Sequence, residues 1–126
     1  MTTGGAPLPI IYGGTGSTTS AGARTNLGIN IIDITVPGAY PYNILLTDYI
    51  IAVDTTGSAR TIRLPNAATT GQVFIIKDNN GNAQANNITL TTVGGAVTID
   101  GETTQIMNAA WISIAVYFNG TSYRII

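Results

Sequence analysis

The chain has 126 residues and a mass of 13.1 kDa, a size that suits one domain with a short N-terminal lead-in. Only 9% of the residues are charged, the formal net charge is −1 and the basic residues are scattered, so the composition argues against nucleic acid as a partner. Cysteine and histidine are both absent, which excludes disulfides, thiolate chemistry and histidine as a general base or metal ligand.

The low charge also bears on assembly. Soluble domains carry roughly 25% charged residues, whereas this chain combines few charges with 44% hydrophobic residues and a mean hydropathy of +0.28. A small monomer of this composition would expose much uncharged surface and tend to associate. The composition therefore favours an oligomer whose subunit contacts bury the excess. The longest apolar runs, such as residues 49–53, are far too short to span a bilayer, so we expect no membrane insertion.

Residues 1–12 are predicted to form an extended lead-in, because Pro7 and Pro9 restrict their neighbours to extended backbone. Four large apolar side chains in this stretch predict contacts with neighbouring chains: Leu8, Ile10, Ile11 and Tyr12.

A glycine-rich stretch and a short helix follow. Glycines at 13, 14 and 16 allow a left-handed backbone or a close approach of another chain. Ser17 or Thr18 is predicted to cap a helix of about ten residues, which is too short to be stable alone. Arg24 falls in its last turn, where a cation suits the negative helix end, and Gly28 is placed for a left-handed terminator.

These residues carry a resemblance to a known class of protein. Gly13-Gly14-Thr15-Gly16, followed by small residues and Ala23-Arg24-Thr25-Asn26-Leu27-Gly28, resembles a segment that recurs in bacteriophage tail fibres. In those fibres the segment joins a shaft to the next distal domain, usually in a homotrimer. More loosely, residues 75–83, 99–101 and 111–121 are similar to distal domains of such fibres. The resemblance implies a homotrimer with a collar made by seven residues: Gly13, Gly14, Gly16, Arg24, Asn26, Leu27 and Gly28.

From residue 31 onward the pattern is typical of β-strands, with short alternating or β-branched runs between turn residues. About eight to ten strands are predicted, at residues 31–36, 42–46, 49–53, 60–64, 73–77, 88–91, 97–99, 111–118 and 123–126. Pro37-Gly38 and Thr47-Asp48 are predicted turns, and hairpin turns are predicted at 78–81, 100–101 and 119–120. The pattern predicts an all-β domain, a β-sandwich or β-prism, with one short N-terminal helix.

The strand predicted at 111–118 has large apolar side chains on both faces. A two-layer monomer buries only one face of a strand, so the second face is predicted to be a subunit interface or a ligand site.

Two loops invite a functional interpretation that their spacing does not support. The stretch 13–17 lacks the Lys-Ser/Thr ending and the βαβ surroundings of a phosphate-binding loop. Residues 78–82 lack the glycine at position six and the glutamate at position twelve of an EF-hand, where Thr89 stands instead. We interpret residues 78–82 as a plain turn, and an oxygen-ligand site shared by several chains remains an alternative. No cofactor and no metal are expected.

The acidic residues do not predict catalysis. Glycoside hydrolysis needs two carboxylates on opposite sides of the scissile bond. Asp100, two residues before Glu102, begins the predicted Asp100-Gly101 turn, and Asp48, Asp54 and Asp78 also occupy turn positions. We therefore expect no enzyme activity.

Aromatic and amide side chains are the candidates for receptor contact. Trp111, Tyr117 and Tyr123, together with Tyr40, Tyr42 and Tyr49, could stack on sugar rings, and asparagine side chains could donate and accept hydrogen bonds. The alternative for each aromatic residue is the core or a subunit interface. Turn residues form the other candidate surface: Asn79, Asn80, Asn82, Asn86, Asn119 and Ser122.

The sequence thus predicts two parts: a trimerisation collar at residues 1–30 and an all-β tip domain at residues 31–126. The expected function is non-enzymatic attachment of a virion tail fibre to a bacterial surface receptor, a glycan or outer-membrane component. The alternatives are a structural connector within a longer fibre and a phage-derived bacterial fibre used for contact with other cells. We also expect Gly14→Val and Leu27→Asp to weaken assembly more than they weaken the β fold.

Overall fold

The computed structural model of the chain describes residues 5–34 and 39–126, with residues 30–34 described by their backbone. Within these ranges there are one α-helix, α1 (Ser20–Asn26), and two 3-10 turns, Ile10–Tyr12 and Val93–Gly95. Nine strands follow in chain order: β1 (Asn30–Ile34), β2 (Tyr42–Asn43), β3 (Asp48–Val53), β4 (Arg60–Leu64), β5 (Val73–Asp78), β6 (Ile88–Thr92), β7 (Thr104–Met107), β8 (Ser113–Phe118) and β9 (Tyr123–Ile125).

The strands form two sheets, one of five strands in the order β1-β3-β5-β8-β9 and one of four strands in the order β2-β4-β6-β7. The first six strands alternate between the sheets, and all neighbours among them are parallel. Parallel neighbours need a crossover between them, and here the crossover is a strand of the opposite sheet. This part of the chain therefore winds as a coil. The hairpin predicted at residues 78–81 is wrong, because β5 leads into β6 of the other sheet.

The last three strands end the winding by pairing antiparallel, β7 with β6, β8 with β5 and β9 with β8. The predicted Asn119-Gly120 hairpin is confirmed, since the Asn119 amide donates to the Ser122 carbonyl between β8 and β9. The all-β class and the two-sheet, sandwich-like architecture are confirmed.

One hydrophobic core lies between the two sheets. In β4, β5 and β6 buried side chains alternate with partly exposed ones, as a half-buried strand requires, and the predicted inward pair Ile62 and Leu64 is fully buried. Tyr123 belongs to this core, where its ring lies 5.0 Å from that of Phe118 and its hydroxyl donates to the Pro65 carbonyl.

Several local predictions are corrected. Helix α1 has seven residues and is capped by Thr19 rather than by Ser17 or Thr18, because Thr19 is the last residue with extended backbone and its hydroxyl accepts from the Gly22 amide at 3.0 Å. Residues 42–46 form only a two-residue strand, and Asp48 begins β3 rather than a turn.

Three further predictions differ in part from the structure. Of the run 97–99, Ile99 makes only isolated bridges to Glu102 and Tyr123, although Asp100 and Gly101 do form a tight turn with positive φ angles. Trp111 precedes β8 and has a left-handed backbone, so it is not a strand residue. The predicted strand end at 35–36 and the Pro37-Gly38 turn lie outside the described residues.

The N-terminal segment, which we define as residues 5–29, contains tight turns. Of the stretch predicted to be extended, Pro9 has extended backbone, whereas Ile10–Tyr12 forms a 3-10 turn. The Pro9 carbonyl accepts hydrogen bonds from the amides of Tyr12 and Gly14, and the Leu8 carbonyl accepts one from Gly16. The predicted close approach of another chain at Gly14 stays a prediction; within this chain a Cβ at Gly14 would lie 2.0 Å from the Leu8 carbonyl oxygen, so only glycine fits there.

Candidate functional site

The predicted contact residues are divided between the two ends of β8. The register pairs Lys77 with Ser113 and Val73 with Tyr117. Trp111, just before β8, therefore lies beside the loop that follows β5, whereas Tyr117 and Asn119 lie at the far end. Ser113 and Tyr117 alone are about 13 Å apart at roughly 3.3 Å per strand residue. The structure thus brings Trp111 together with Asn79, Asn80 and Asn82 and separates them from the rest.

The loop after β5, residues 78–83, is organised by the buried carboxylate of Asp78; we name it the Asp78 loop. Asp78 is fully buried and is the last residue of its strand. Its carboxylate accepts hydrogen bonds from one hydroxyl and four backbone amides: Thr55 Oγ1 at 2.7 Å, Asn80 at 3.3 Å, Gly81 at 3.1 Å, Ala83 at 3.1 Å and Trp111 at 3.0 Å. One side chain therefore fixes the loop and the start of β8 in a single arrangement.

These hydrogen bonds also decide the ionisation of Asp78. Burial by itself raises the pKa of a carboxyl group. The hydrogen bonds from the Thr55 hydroxyl and from the loop amides outweigh this effect and hold the pKa of Asp78 below its ordinary value of 3.8. Asp78 is thus a buried anion surrounded by N–H and O–H donors. With its oxygens engaged in this way, it serves to position the loop rather than to carry out chemistry.

Trp111 is the most exposed aromatic side chain beside the Asp78 loop, with 60% of its surface accessible. Its φ of +61° is costly for a large side chain. The conformation is held from both sides, since its amide donates to Asp78 and its carbonyl accepts from the Lys77 ammonium. The indole ring lies over Gly81, where a Cβ would be 2.4 Å from the ring atom Cε2. Glycine is therefore required beneath the ring.

Three asparagines lie in the Asp78 loop, on either side of the glycine that the indole ring covers. Asn79, Asn80 and Asn82 are exposed, and their backbone is fixed, with the Asn79 amide donating to the Val53 carbonyl and the Asn82 amide to Thr55 Oγ1. Within the described part of the chain their side-chain amides make no hydrogen bonds, so they are available to a ligand. We name Trp111 with these three residues the Trp111 platform.

The remaining candidates are placed differently. Tyr117 is 37% exposed on the outer face of the five-stranded sheet. Asn119 closes the β8–β9 turn, because its side-chain oxygen accepts from the Thr121 and Ser122 amides. Tyr123 is fully buried, so the prediction that it contacts a receptor is wrong for this chain and the core alternative applies.

Two other tyrosines are occupied by contacts within the chain. The Tyr42 hydroxyl donates to Asp48 at 2.7 Å, and burial together with this carboxylate raises the pKa of Tyr42. The Arg60 guanidinium lies over the Tyr40 ring, 4.5 Å from its centroid.

A second feature is an open groove of about 540 Å³ between the N-terminal segment and the five-stranded sheet. Leu27 and Ile29 line one side, and Leu46, Tyr49 and Val73 line the other. Sequence reasoning missed this groove, because its walls come from residues far apart in the chain; the apolar side chains at 27, 29 and 46 were the only local signal.

The predicted collar residues lie in the N-terminal segment next to this groove. Gly13, Gly16 and Gly28 have positive φ angles, as predicted, and Arg24 occupies the last turn of α1. The Asn26 side chain donates to the Thr15 carbonyl at 2.9 Å and ties the glycine-rich stretch to the end of the helix.

The described residues also bear on whether the chain holds a metal site or a membrane-spanning helix. No cluster of three or more acidic residues, histidines or cysteines that could hold a metal ion occurs within residues 5–34 and 39–126. Over the same ranges no helix has the length and apolar character needed to cross a membrane. No family model matches the chain, and no curated protein shows significant similarity to it.

Proposed function

We propose that this protein is the homotrimeric tip domain of a phage-type tail fibre and attaches it, without catalysis, to a bacterial surface receptor. The receptor class is a surface glycan or a glycan-bearing outer-membrane component. The observation that carries this proposal is the Trp111 platform. The sequence resemblance of the glycine-rich segment supplies the fibre context.

The platform has the features of a sugar-binding surface. An exposed indole ring offers a flat apolar face to the C–H face of a sugar ring, and side-chain amides beside it can donate to and accept from sugar hydroxyls. The backbone of Trp111 is held before binding by its hydrogen bonds to Asp78 and Lys77, and the ring packs against Gly81. Little backbone entropy would therefore be lost when a ligand binds.

A trimer would compensate for the small size of each site. The platform has one aromatic ring and few polar groups, so its affinity for a single sugar unit is expected to be low. Three copies on one axis raise the effective affinity for a repetitive cell surface without any new contact.

The direct test measures binding of the purified protein to immobilised bacterial surface polysaccharides and to intact cells of a bacterial panel. Trp111 is the only tryptophan of the chain, so its fluorescence reports on the site directly. We expect Trp111→Ala to weaken the affinity of each single site at least tenfold, which corresponds to about 1.4 kcal/mol. Tyr117→Ala, which removes a partly exposed aromatic ring at the other end of β8, is the matched control and should bind like the parent.

Binding that survives Trp111→Ala and fails in Tyr117→Ala would place the receptor site elsewhere on the sheet. Release of oligosaccharides from a bound polysaccharide would refute the non-enzymatic assignment.

A second candidate function is supported by the N-terminal segment. Ile11 and Tyr12 are 83% and 73% exposed, which favours a segment built to assemble chains. In this alternative the protein is a structural connector of a longer fibre, and recognition lies in another part of the parent chain. A stable trimer that binds no cell or polysaccharide of the panel would favour the connector.

A further inference from the structure

The 3-10 turn Ile10–Tyr12, which we name the knob, is an apolar projection that its own chain does not cover. Its three side chains are 49%, 83% and 73% exposed, and none carries a charge. Large apolar side chains are seldom grouped at such exposure on a monomer unless they contact a partner.

The knob is held in a fixed position. The Tyr12 amide donates to the Pro9 carbonyl at 3.0 Å, and the Gly13 amide donates to the Ile10 carbonyl at 2.9 Å. The hydrogen bond between Asn26 and the Thr15 carbonyl then ties the following glycine-rich stretch to α1. The knob is thus presented outward by a hydrogen-bonded scaffold, and it does not occupy the groove of its own chain.

The groove between the N-terminal segment and the five-stranded sheet matches the knob in chemistry. None of its lining residues is charged, and Leu27, Ile29 and Leu46 expose 51%, 44% and 50% of their surface. Its volume of about 540 Å³ lies in the range that accepts a drug-sized molecule, and hence a few large side chains.

The exposed area is sufficient for a ring of copies. The knob residues, the groove residues Leu27, Ile29 and Leu46, and the neighbouring apolar residues Leu8 and Leu45 are 44% to 83% exposed. Together they present on the order of 800 Å² of apolar surface, divided between knob and groove. In a closed ring each copy would bury its knob against one neighbour and its groove against the other, so up to about 800 Å² would be buried per copy, as much as each partner buries in a stable interface.

We infer that the knob of one copy of this chain inserts into the groove of a second copy. Knob and groove are different surfaces, so the contact is heterologous and a ring closes when the last copy receives the first. The inference rests on the proposed homotrimer for the number of copies, three. It adds the contact that holds the ring together.

The absence of cysteine allows a clean test by disulfide trapping. Ile11→Cys in the knob is combined with Leu46→Cys in the groove, and the oxidised protein is analysed on a non-reducing denaturing gel. The matched control pairs Ile11→Cys with Val93→Cys, because Val93 is an equally apolar residue, 40% exposed, that does not line the groove. Light scattering of the parent gives its mass over a range of concentrations.

We expect a covalent three-chain species from the knob–groove pair that is absent from the control pair and from either single variant. Disulfides formed only within one chain would overturn the inference, because the knob would then lie in its own groove. Two-chain products alone would overturn it as well, in favour of a reciprocal dimer.

Two further outcomes separate this inference from the proposed function. In the first, the parent has the mass of a trimer but the knob–groove pair forms no more cross-links than the control pair. This result would overturn the knob–groove contact and keep the proposed trimer, and the groove would then bind something else. A parent that is a monomer at all concentrations would overturn the trimer and the knob–groove contact together.

Discussion

Replacement of Asp78 by asparagine tests whether one buried carboxylate holds the Trp111 platform. The substitution keeps the shape of the side chain but removes its charge and turns one oxygen into an NH₂ group. Each oxygen accepts from at least two backbone amides, so in either orientation of the new amide two backbone N–H groups lose their acceptor. Such a loss costs roughly 1–3 kcal/mol for a buried group, and three of the four groups are partly buried, so we expect the free energy of unfolding to fall by about 2–4 kcal/mol.

The assay is urea-induced unfolding followed by circular dichroism and by the fluorescence of Trp111. Glu102→Gln is the matched control, because it also removes one negative charge, at an exposed position, and should change the free energy of unfolding by less than about 0.5 kcal/mol. If Asp78→Asn does not fold, Thr55→Val serves instead: it removes the hydroxyl that donates to Asp78 and accepts from the Asn82 amide, and it should cost about 1–2 kcal/mol.

The pH dependence follows from the lowered pKa of Asp78. A carboxyl group whose folded-state pKa lies below its unfolded value stabilises the fold fully above the unfolded value of 3.8, and the stabilisation is lost as the pH falls through the folded pKa. Below about pH 4 the parent should therefore lose stability more steeply than Asp78→Asn. A variant that unfolds within about 1 kcal/mol of the parent and shows the same acid profile would refute the role assigned to Asp78.

Three other substitutions test separate parts of the structure. Gly81→Ala should lower the free energy of unfolding by at least about 1 kcal/mol more than Gly57→Ala in the same urea assay. Both glycines have positive φ, but only at position 81 would the added Cβ meet the indole ring. Equal costs would show that the ring does not lie over the glycine. Tyr123→Phe should cost about 1 kcal/mol through its lost hydrogen bond, whereas Tyr117→Phe should cost nothing measurable. Burial raises the pKa of Tyr123, so the protonated side chain stabilises the fold below the unfolded pKa near 10, and this stabilisation is lost at higher pH. The stability of Tyr123→Phe should therefore fall less steeply with rising pH than that of the parent. An unchanged dependence of stability on alkaline pH would argue against the burial of Tyr123. Leu27→Asp should raise the concentration at which oligomers dissociate, measured by light scattering, and leave the urea midpoint of the dissociated chain unchanged; assembly like that of the parent would exclude Leu27 from the interface.

The sequence predicted those parts of the fold that depend on local pattern. Residues 60–64 alternate apolar and polar side chains and form β4 with the same bounds. The Asn119-Gly120 turn was recognisable because its residue types suit a tight hairpin. The winding of β1 to β6 was not predictable in this way, since parallel and antiparallel strands have similar local patterns and only long-range register distinguishes them.

The sequence predicted which residues form the candidate site, but not the buried carboxylate that holds them in place. Exposed asparagines and a tryptophan were visible in the sequence, but Asp78 was interpreted as an ordinary turn residue. Its carboxylate joins an amide 33 positions along the chain, and that distance exceeds the reach of any turn rule. Tyr123 fails as a contact residue for a related reason, because the burial of one face of β9 is decided by the opposite sheet.

The winding of the first six strands also governs the order in which the chain can fold. None of these strands pairs with the next one along the chain, so no hairpin can form locally before residue 88. Strands that are consecutive in the chain pair with each other in only two places in the described ranges, β6 with β7 and β8 with β9, and both lie in the C-terminal third. During synthesis the earlier strands would leave the ribosome without their antiparallel partners, and β5 would receive β8 only after residue 118 had emerged. Folding of this chain should therefore begin at its end, and a chain that stops at residue 110 should leave an open edge of β5 that invites aggregation.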